Sequence, residues 1–87
     1  MFSKETAIVN DLGLDMVQAG ILAKEMAIYQ CDVRLIVDGK SVNVKSVMNI
    51  IAGCIKKGDK VTVCADGIGE EEAVNKAVSL IESGFTN

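Results

Sequence analysis

Two polar segments, each placed just before a predicted helix, contain the residues best suited to phosphate chemistry. The first leads through Gly13 and Asp15 into a helix that begins near Met16, and the second places Lys45 and Ser46 before a short apolar run. A helix N-terminus presents unpaired N–H groups and a partial positive charge, so both segments suit an anion. Ser46 offers a hydroxyl that can be phosphorylated, and Asp15 offers a carboxylate that can form an acyl phosphate.

Both residues also have a purely structural explanation. Serine and aspartate are preferred N-caps, and a capping serine contributes about 1 kcal/mol to stability. The carboxylate of Asp15 also complements the dipole of the following helix. An acyl-phosphate site usually needs a divalent metal held by further carboxylates, and Asp11 is the one candidate close by in the sequence. We therefore favour helix capping for Asp15 and rank the acyl-phosphate acceptor last.

The composition argues against several classes of function. The chain has 87 residues, a net charge of -3 and 3% aromatic residues, which leaves neither a basic surface nor a base-stacking platform for nucleic acid. Cys31, Cys54 and Cys64 are widely spaced and no histidine accompanies them, so we expect free thiols and no metal site. No apolar stretch reaches membrane-spanning length, and charges near the start oppose a signal peptide. We expect a cytoplasmic protein with no cofactor, no membrane contact and no nucleic-acid partner.

The hydrophobic pattern predicts a single domain over residues 1–87 in which short strands and helices follow one another. Strands are predicted at residues 4–10, 32–37, 40–44 and 60–65. Helices are predicted at residues 16–29, at 47–52 and from Glu70 onward, with Gly84 as a C-terminal cap. Asp38-Gly39 marks a tight hairpin between the second and third strands. This order predicts an α+β fold with helices on one face of a sheet and solvent on the other.

Several segments resemble the histidine-containing phosphocarrier protein (HPr) family along essentially the whole chain. Residues 13–18 (GLDMVQ) lie where that family carries Gly-Leu/Ile-His-x-Arg-Pro, and residues 38–48 (DGKSVNVKSVM) resemble its hairpin and regulatory-serine motif. The similarity continues through residues 53–65 and into Asp66-Gly67 with the acidic helix start that follows. The resemblance implies an open-faced β-sandwich, in which a four-stranded antiparallel sheet carries three helices on one face in the order β-α-β-β-α-β-α. It also implies a phosphotransferase-system protein that is not an enzyme.

The departures from the family pattern concern the residues that transfer the phosphoryl group. By resemblance, Asp15 occupies the position of the phosphohistidine, Val17 that of the arginine that clamps the phosphate, and Gln18 that of the proline. The chain contains no histidine, so it cannot carry a phosphohistidine. The catabolite-repression HPr-like proteins, to which the chain is similar, also lack this histidine but keep the arginine. Asp15 is then a cap, a fixed charge that imitates a phosphohistidine, or an acyl-phosphate acceptor.

The resemblance further implies that Ser46 is a regulatory phosphorylation site with an apolar partner surface beside it. Family members with this serine motif are phosphorylated by HPr kinase, and Lys45 is expected near the phosphate. We expect an apolar patch between the two helix N-termini, formed by Met16, Val17, Ile21, Val47, Met48 and Ile51. The implied partners are HPr kinase and a transcriptional regulator or a phosphotransferase-system component. The alternatives are a phosphocarrier that uses Asp15, and a scaffold module that is not phosphorylated and forms homodimers.

Overall fold

The predicted order of strands and helices is confirmed by the computed structural model, which describes residues 1–86. The strands are β1 (Phe2–Ala7), β2 (Asp32–Val37), β3 (Lys40–Asn43) and β4 (Lys60–Asp66). The helices are α1 (Met16–Met26), α2 (Val47–Ala52) and α3 (Glu70–Glu82). All strand pairs are antiparallel, and the strand order is β1-β4-β2-β3, so β1 and β3 form the two edges of the sheet. This is the α+β open-faced sandwich that the resemblance implied.

The first strand and the first helix both end earlier than the sequence predicts. After Ala7 the chain leaves the sheet, because the N–H of Ile8 donates to the carbonyl of Asp59 and the N–H of Gly58 donates to the carbonyl of Ile8. These bonds tie the chain to the turn before β4 and replace further strand pairing. Helix α1 ends at Met26, and Tyr29 donates to the Met26 carbonyl in a tighter turn.

Along β2 and β4, buried residues alternate with more exposed ones, and the buried residues form the face that the helices cover. Every second residue of these strands is buried, whereas the residues between them are half-buried or exposed. Helix α3 packs over β1 and β4, and α1 packs against α2 and α3. The centre of the core is aliphatic, as the low aromatic content requires; its fully enclosed members include Leu22, Met26, Leu35, Ile50, Val63, Val74 and Ile81.

The two turns that the sequence marks most strongly adopt the backbone that their residues favour. Asp38 and Gly39 have φ of 49° and 75°, which makes the two-residue hairpin that joins β2 to β3. At the end of α3, the N–H of Phe85 donates to the Leu80 carbonyl at 2.9 Å and that of Gly84 to Ile81 at 3.1 Å. With Gly84 at φ 68°, this is a Schellman ending, and it confirms the predicted glycine cap.

The contacts of Glu70, at the start of α3, predict that the stability of the protein depends slightly on pH. Its carboxylate accepts from the N–H of Gly67 at 3.1 Å and pairs with the N-terminal ammonium, and these contacts, the first above all, lower the pKa of Glu70. A lowered pKa means that the ionised form stabilises the fold above the pKa of the unfolded chain, and that this contribution is lost as the pH falls through the folded-state pKa.

We therefore expect Glu70→Gln to destabilise the protein at pH 7 and to lose this effect toward pH 3. Glutamine keeps an oxygen for the N–H of Gly67 but carries no charge, so the substitution isolates the ionised form. Urea unfolding of both proteins at the two pH values measures the difference, and a difference that does not change with pH would contradict the assignment.

Candidate functional site

The loop between β1 and α1 is held in place by the connection between α2 and β4. Leu14 donates its N–H to the Ile55 carbonyl at 3.0 Å. Gly13 has φ of 65°, and a Cβ added to it would lie 2.4 Å from the same carbonyl oxygen. Lys57 adds an ion pair to Asp11 at 2.7 Å, which lowers the pKa of Asp11. These contacts fix the position from which α1 begins.

Asp15 is the N-cap of α1. Its Oδ1 accepts from the N–H of Val17 at 3.2 Å, and its backbone carbonyl accepts from Ala19 at 2.8 Å. Asp11, the other carboxylate in this loop, is engaged by Lys57. Within residues 1–86, no group of three or more histidine, cysteine, aspartate or glutamate side chains could hold a metal ion. The geometry at Asp15 therefore supports helix capping and lends no support to metal-assisted acyl-phosphate formation.

Ser46 is the N-cap of α2, as its residue type and position indicate. Its Oγ accepts from the backbone N–H of Asn49 at 3.2 Å and from the Nδ2 of the same residue at 3.1 Å. The turn before it is closed by Asn43, whose carbonyl accepts from the N–H of Ser46 at 3.2 Å. Ser46 as a whole is half-buried, but the hydrogen bonds that its Oγ accepts lie at the exposed surface.

The ammonium of Lys45, which we expected to be available to a phosphate on Ser46, is already engaged. Its Nζ donates to the carbonyl of Tyr29 at 2.5 Å, beyond the C-terminus of α1. Its backbone N–H donates to Oδ1 of Asn43 at 3.0 Å. Lys45 thus ties the start of α2 to the end of α1 in the unmodified protein.

Helices α1 and α2 run in opposite directions, because each begins beside the segment that follows the other. The start of α1 contacts the segment after α2 through Leu14 and Ile55, whereas the start of α2 contacts the segment after α1 through Lys45 and Tyr29. The two N-caps therefore lie at opposite ends of the helix pair. A partner that contacts both caps must therefore extend along both helices.

The six residues proposed for the partner surface differ in exposure. Met16, Val17 and Met48 are 72%, 65% and 73% exposed. Ile21, Val47 and Ile51 are half-buried and pack against the core. Leu12, which was not predicted as part of this surface, is 74% exposed in the loop before α1. Residue type does not distinguish Leu12 from Leu14, which lies in the same loop and is buried.

The three cysteines are free thiols, as expected. Cys31 is buried, Cys54 is exposed and Cys64 is half-buried on the open face of the sheet. Burial, followed by the nearby charge of Asp32, raises the pKa of the Cys64 thiol. None of the three lies among the residues proposed for phosphorylation or partner binding.

Comparison with known proteins places these features in a family. The family model "PTS HPr component phosphorylation site" matches residues 2–83. The phosphocarrier protein HPr of Mycoplasma capricolum is 37% identical over 73 residues, which are 83% of this chain and 82% of that protein. The HPr-like protein Crh of Bacillus subtilis is 34% identical over 70 residues, which are 80% of this chain and 82% of Crh.

Solved structures agree with the sequence relatives. The crystal structure of HPr-C-His from Thermoanaerobacter tengcongensis superposes with a TM-score of 0.93 at 33% identity, covering 98% of this chain and 96% of the other. The crystal structure of Bacillus subtilis Crh, described as a dimer with a swapped domain, gives a TM-score of 0.78 at 29% identity and covers 100% of both chains. Among residues 1–86, no helix is both long enough and apolar enough to span a membrane.

Proposed function

Since the chain belongs to the HPr family of phosphotransferase-system proteins, which are phosphocarrier or HPr-like proteins and not enzymes, we propose that it is a regulatory member without phosphohistidine carrier activity. It acts in the cytoplasm through phosphorylation of Ser46 and through an apolar surface on α1 and α2. One observation carries the proposal: the chain has a serine that can be phosphorylated at a helix start but no histidine. Ser46 lies at the surface as the N-cap of α2 with exposed Met48 close by, whereas the chain has no histidine to accept a phosphoryl group.

The proposed modification is a phosphoryl transfer from ATP. The Oγ of Ser46 attacks the γ-phosphorus, its proton is lost to a base of the kinase, and ADP leaves. The side chain gains about two negative charges near pH 7 and three acceptor oxygens. Asn49 already donates its backbone N–H and its amide N–H to this Oγ, so donors for a phosphate are present beside it. By resemblance, the enzyme that performs this step is an HPr kinase.

The partner surface comprises Met16, Val17, Ile21, Val47, Met48 and Ile51, and its partner is a transcriptional regulator or a phosphotransferase-system component. Three of these side chains are more than half exposed and contribute apolar area that a partner can bury. Position 17 carries valine where the family has arginine, so the surface offers packing in place of a charge for the phosphate. We therefore expect partners that differ from those of a histidine-bearing HPr.

The test is phosphorylation of the purified protein by HPr kinase and ATP, measured by intact mass and peptide mapping. We expect a single phosphate on the peptide that contains Ser46. An authentic HPr in the same tube shows that the kinase is active. No modification of this protein while the authentic HPr is labelled would overturn the proposal.

Two variants sharpen this experiment. Ser46→Asn removes the hydroxyl but keeps an oxygen able to cap α2, so loss of labelling cannot be attributed to loss of the helix start. Ser41→Ala removes an exposed hydroxyl from β3 and should leave labelling unchanged. Labelling that survives Ser46→Asn, or that disappears in Ser41→Ala, places the modification elsewhere.

A homodimer is the second candidate, and it is supported by the relatives. Crh of Bacillus subtilis and HPr of Thermoanaerobacter tengcongensis have both been solved as dimers, and each covers the whole of this chain. In this chain β3 also forms an edge of the sheet, and a neighbouring chain can pair with an edge. Light scattering after size exclusion, over a range of concentrations, distinguishes a dimer from a monomer. A monomer mass at the highest concentration would exclude this candidate.

A further inference from the structure

We infer that Lys45 is the residue that couples phosphorylation of Ser46 to the segment after α1. In the unmodified protein the Lys45 ammonium donates to the Tyr29 carbonyl at 2.5 Å. Once Ser46 carries a phosphate, the ammonium moves to it and the Tyr29 carbonyl loses its donor. This inference rests on the proposed function, because it requires Ser46 to be phosphorylated in the cell.

The geometry allows one ammonium to serve both acceptors. Lys45 and Ser46 are neighbours in the chain, with Cα atoms about 3.8 Å apart. A lysine side chain carries its charge on a flexible four-carbon stem with three rotatable donors. The backbone of Lys45 is meanwhile held by Asn43, whose Oδ1 accepts from its N–H at 3.0 Å. Only the side chain therefore has to move.

The chemistry favours the phosphate over the carbonyl. A phosphate attracts the ammonium with about two full negative charges, whereas a neutral carbonyl oxygen offers only a partial charge. Other cations of the chain have acceptors elsewhere: Arg34 bonds to Asp32 and Ser41 on the sheet, and Lys40 bonds to the Gly53 carbonyl after α2. Lys24, an exposed cation in the last turn of α1, provides the control.

The move has a consequence at a distance from Ser46. Tyr29 lies in the segment that joins α1 to β2, and its ring is 3.7 Å from a Cβ built on Gly69, just before α3. Two of the most exposed apolar side chains belong to these segments, namely Ile28 at 76% and Ile68 at 78%. Loss of the hydrogen bond to the Tyr29 carbonyl therefore changes the surface around Ile28 and Ile68, which is separate from the proposed partner surface.

The experiment uses protein with phosphoserine placed at position 46 by genetic code expansion, so it requires no kinase. The probes are the NMR shifts of the Tyr29 carbonyl carbon and the Lys45 Nζ, recorded with and without the phosphate. We expect both to move, and the Tyr29 carbon to shift about as far as it does in unmodified Lys45→Met. In the Lys45→Met background the phosphate should cause no further shift at Tyr29, whereas in Lys24→Met it should cause the full shift.

Either of two results would overturn the inference. The first is an unchanged Tyr29 carbon in the phosphoserine protein, which decides the matter even if Lys45→Met does not fold. The second is a phosphate-dependent shift that persists in Lys45→Met or disappears in Lys24→Met. Failure of the kinase to label Ser46 would instead refute the proposed function and leave this physical coupling intact, so the two failures are distinguishable.

Discussion

Replacement of Gly13 by alanine should destabilise the protein by about 3 kcal/mol, the largest effect that we expect from a single methyl group. The backbone at Gly13 has φ of 65°, which costs a non-glycine residue about 1–2 kcal/mol. The added Cβ would also lie 2.4 Å from the Ile55 carbonyl oxygen and 2.8 Å from the Cα of Lys56. Both are backbone atoms, so the loop must move and its hydrogen bond from Leu14 must weaken. Urea unfolding measures the loss, and the melting temperature should fall by more than about 10 °C.

Gly20→Ala provides the matched control for this prediction. Gly20 lies within α1. Apart from its chain neighbours and the backbone of its own helix, no atom of residues 1–86 comes within 4 Å of a Cβ built there. The same added methyl group should therefore stabilise the protein by about 0.5–1 kcal/mol, because alanine is the better helix former. Opposite signs are the expected result. If Gly13→Ala were as stable as the wild type, the close approach of the two loops would be wrong.

The second large effect is a gain of activity at the start of α1. The resemblance to HPr implies enzyme I of the phosphotransferase system as phosphoryl donor, and we expect the double variant Asp15→His, Val17→Arg to accept a phosphoryl group from it, whereas the wild type accepts none. An imidazole supplies the nucleophile that the chain lacks, and the arginine supplies a planar, bidentate contact to the phosphate. Val17 is 65% exposed, so a longer side chain can be accommodated there. Labelling is measured by mass under conditions that preserve the phosphoramidate.

Single variants separate the two contributions in this experiment. Asp15→His alone should be labelled more slowly than the double variant, and Val17→Arg alone should not be labelled. Histidine is a poorer N-cap than aspartate, so thermal unfolding should first show that each variant folds. No labelling of a folded double variant, beside an authentic HPr that is labelled, would show that carrier activity requires more than these two positions.

Much of the fold could be predicted from local sequence because its turns and caps are local. Asp38-Gly39 specifies its hairpin by the positive φ that both residues tolerate, and Gly84 ends α3 for the same reason. The end of β1 could not be predicted in this way. The bonds that draw Ile8 out of the sheet come from Gly58 and Asp59, which are distant in the sequence.

In the candidate site, too, the features that depend on local sequence were predictable and those that depend on distant segments were not. Asp15 and Ser46 were identifiable as caps because a cap depends on residue type and on the next few residues. The engagement of Lys45 by the Tyr29 carbonyl and the opposite directions of α1 and α2 depend on packing between distant segments. Both capping residues were therefore identifiable from the sequence, whereas the distance between them along the helix pair was not. Their chemical roles remain the predictions that the experiments above address.

The strand order has a consequence for synthesis of the protein on the ribosome. The first strand to emerge, β1, pairs only with β4, so that Phe2 must wait until Ala65 has been translated. At roughly 5–20 residues per second, this wait lasts several seconds. During that time β1 is an unpaired strand, and the charges of Lys4 and Glu5 within it oppose pairing with other nascent chains. The charged residues of β1 thus also oppose aggregation of the nascent chain before the sheet has formed.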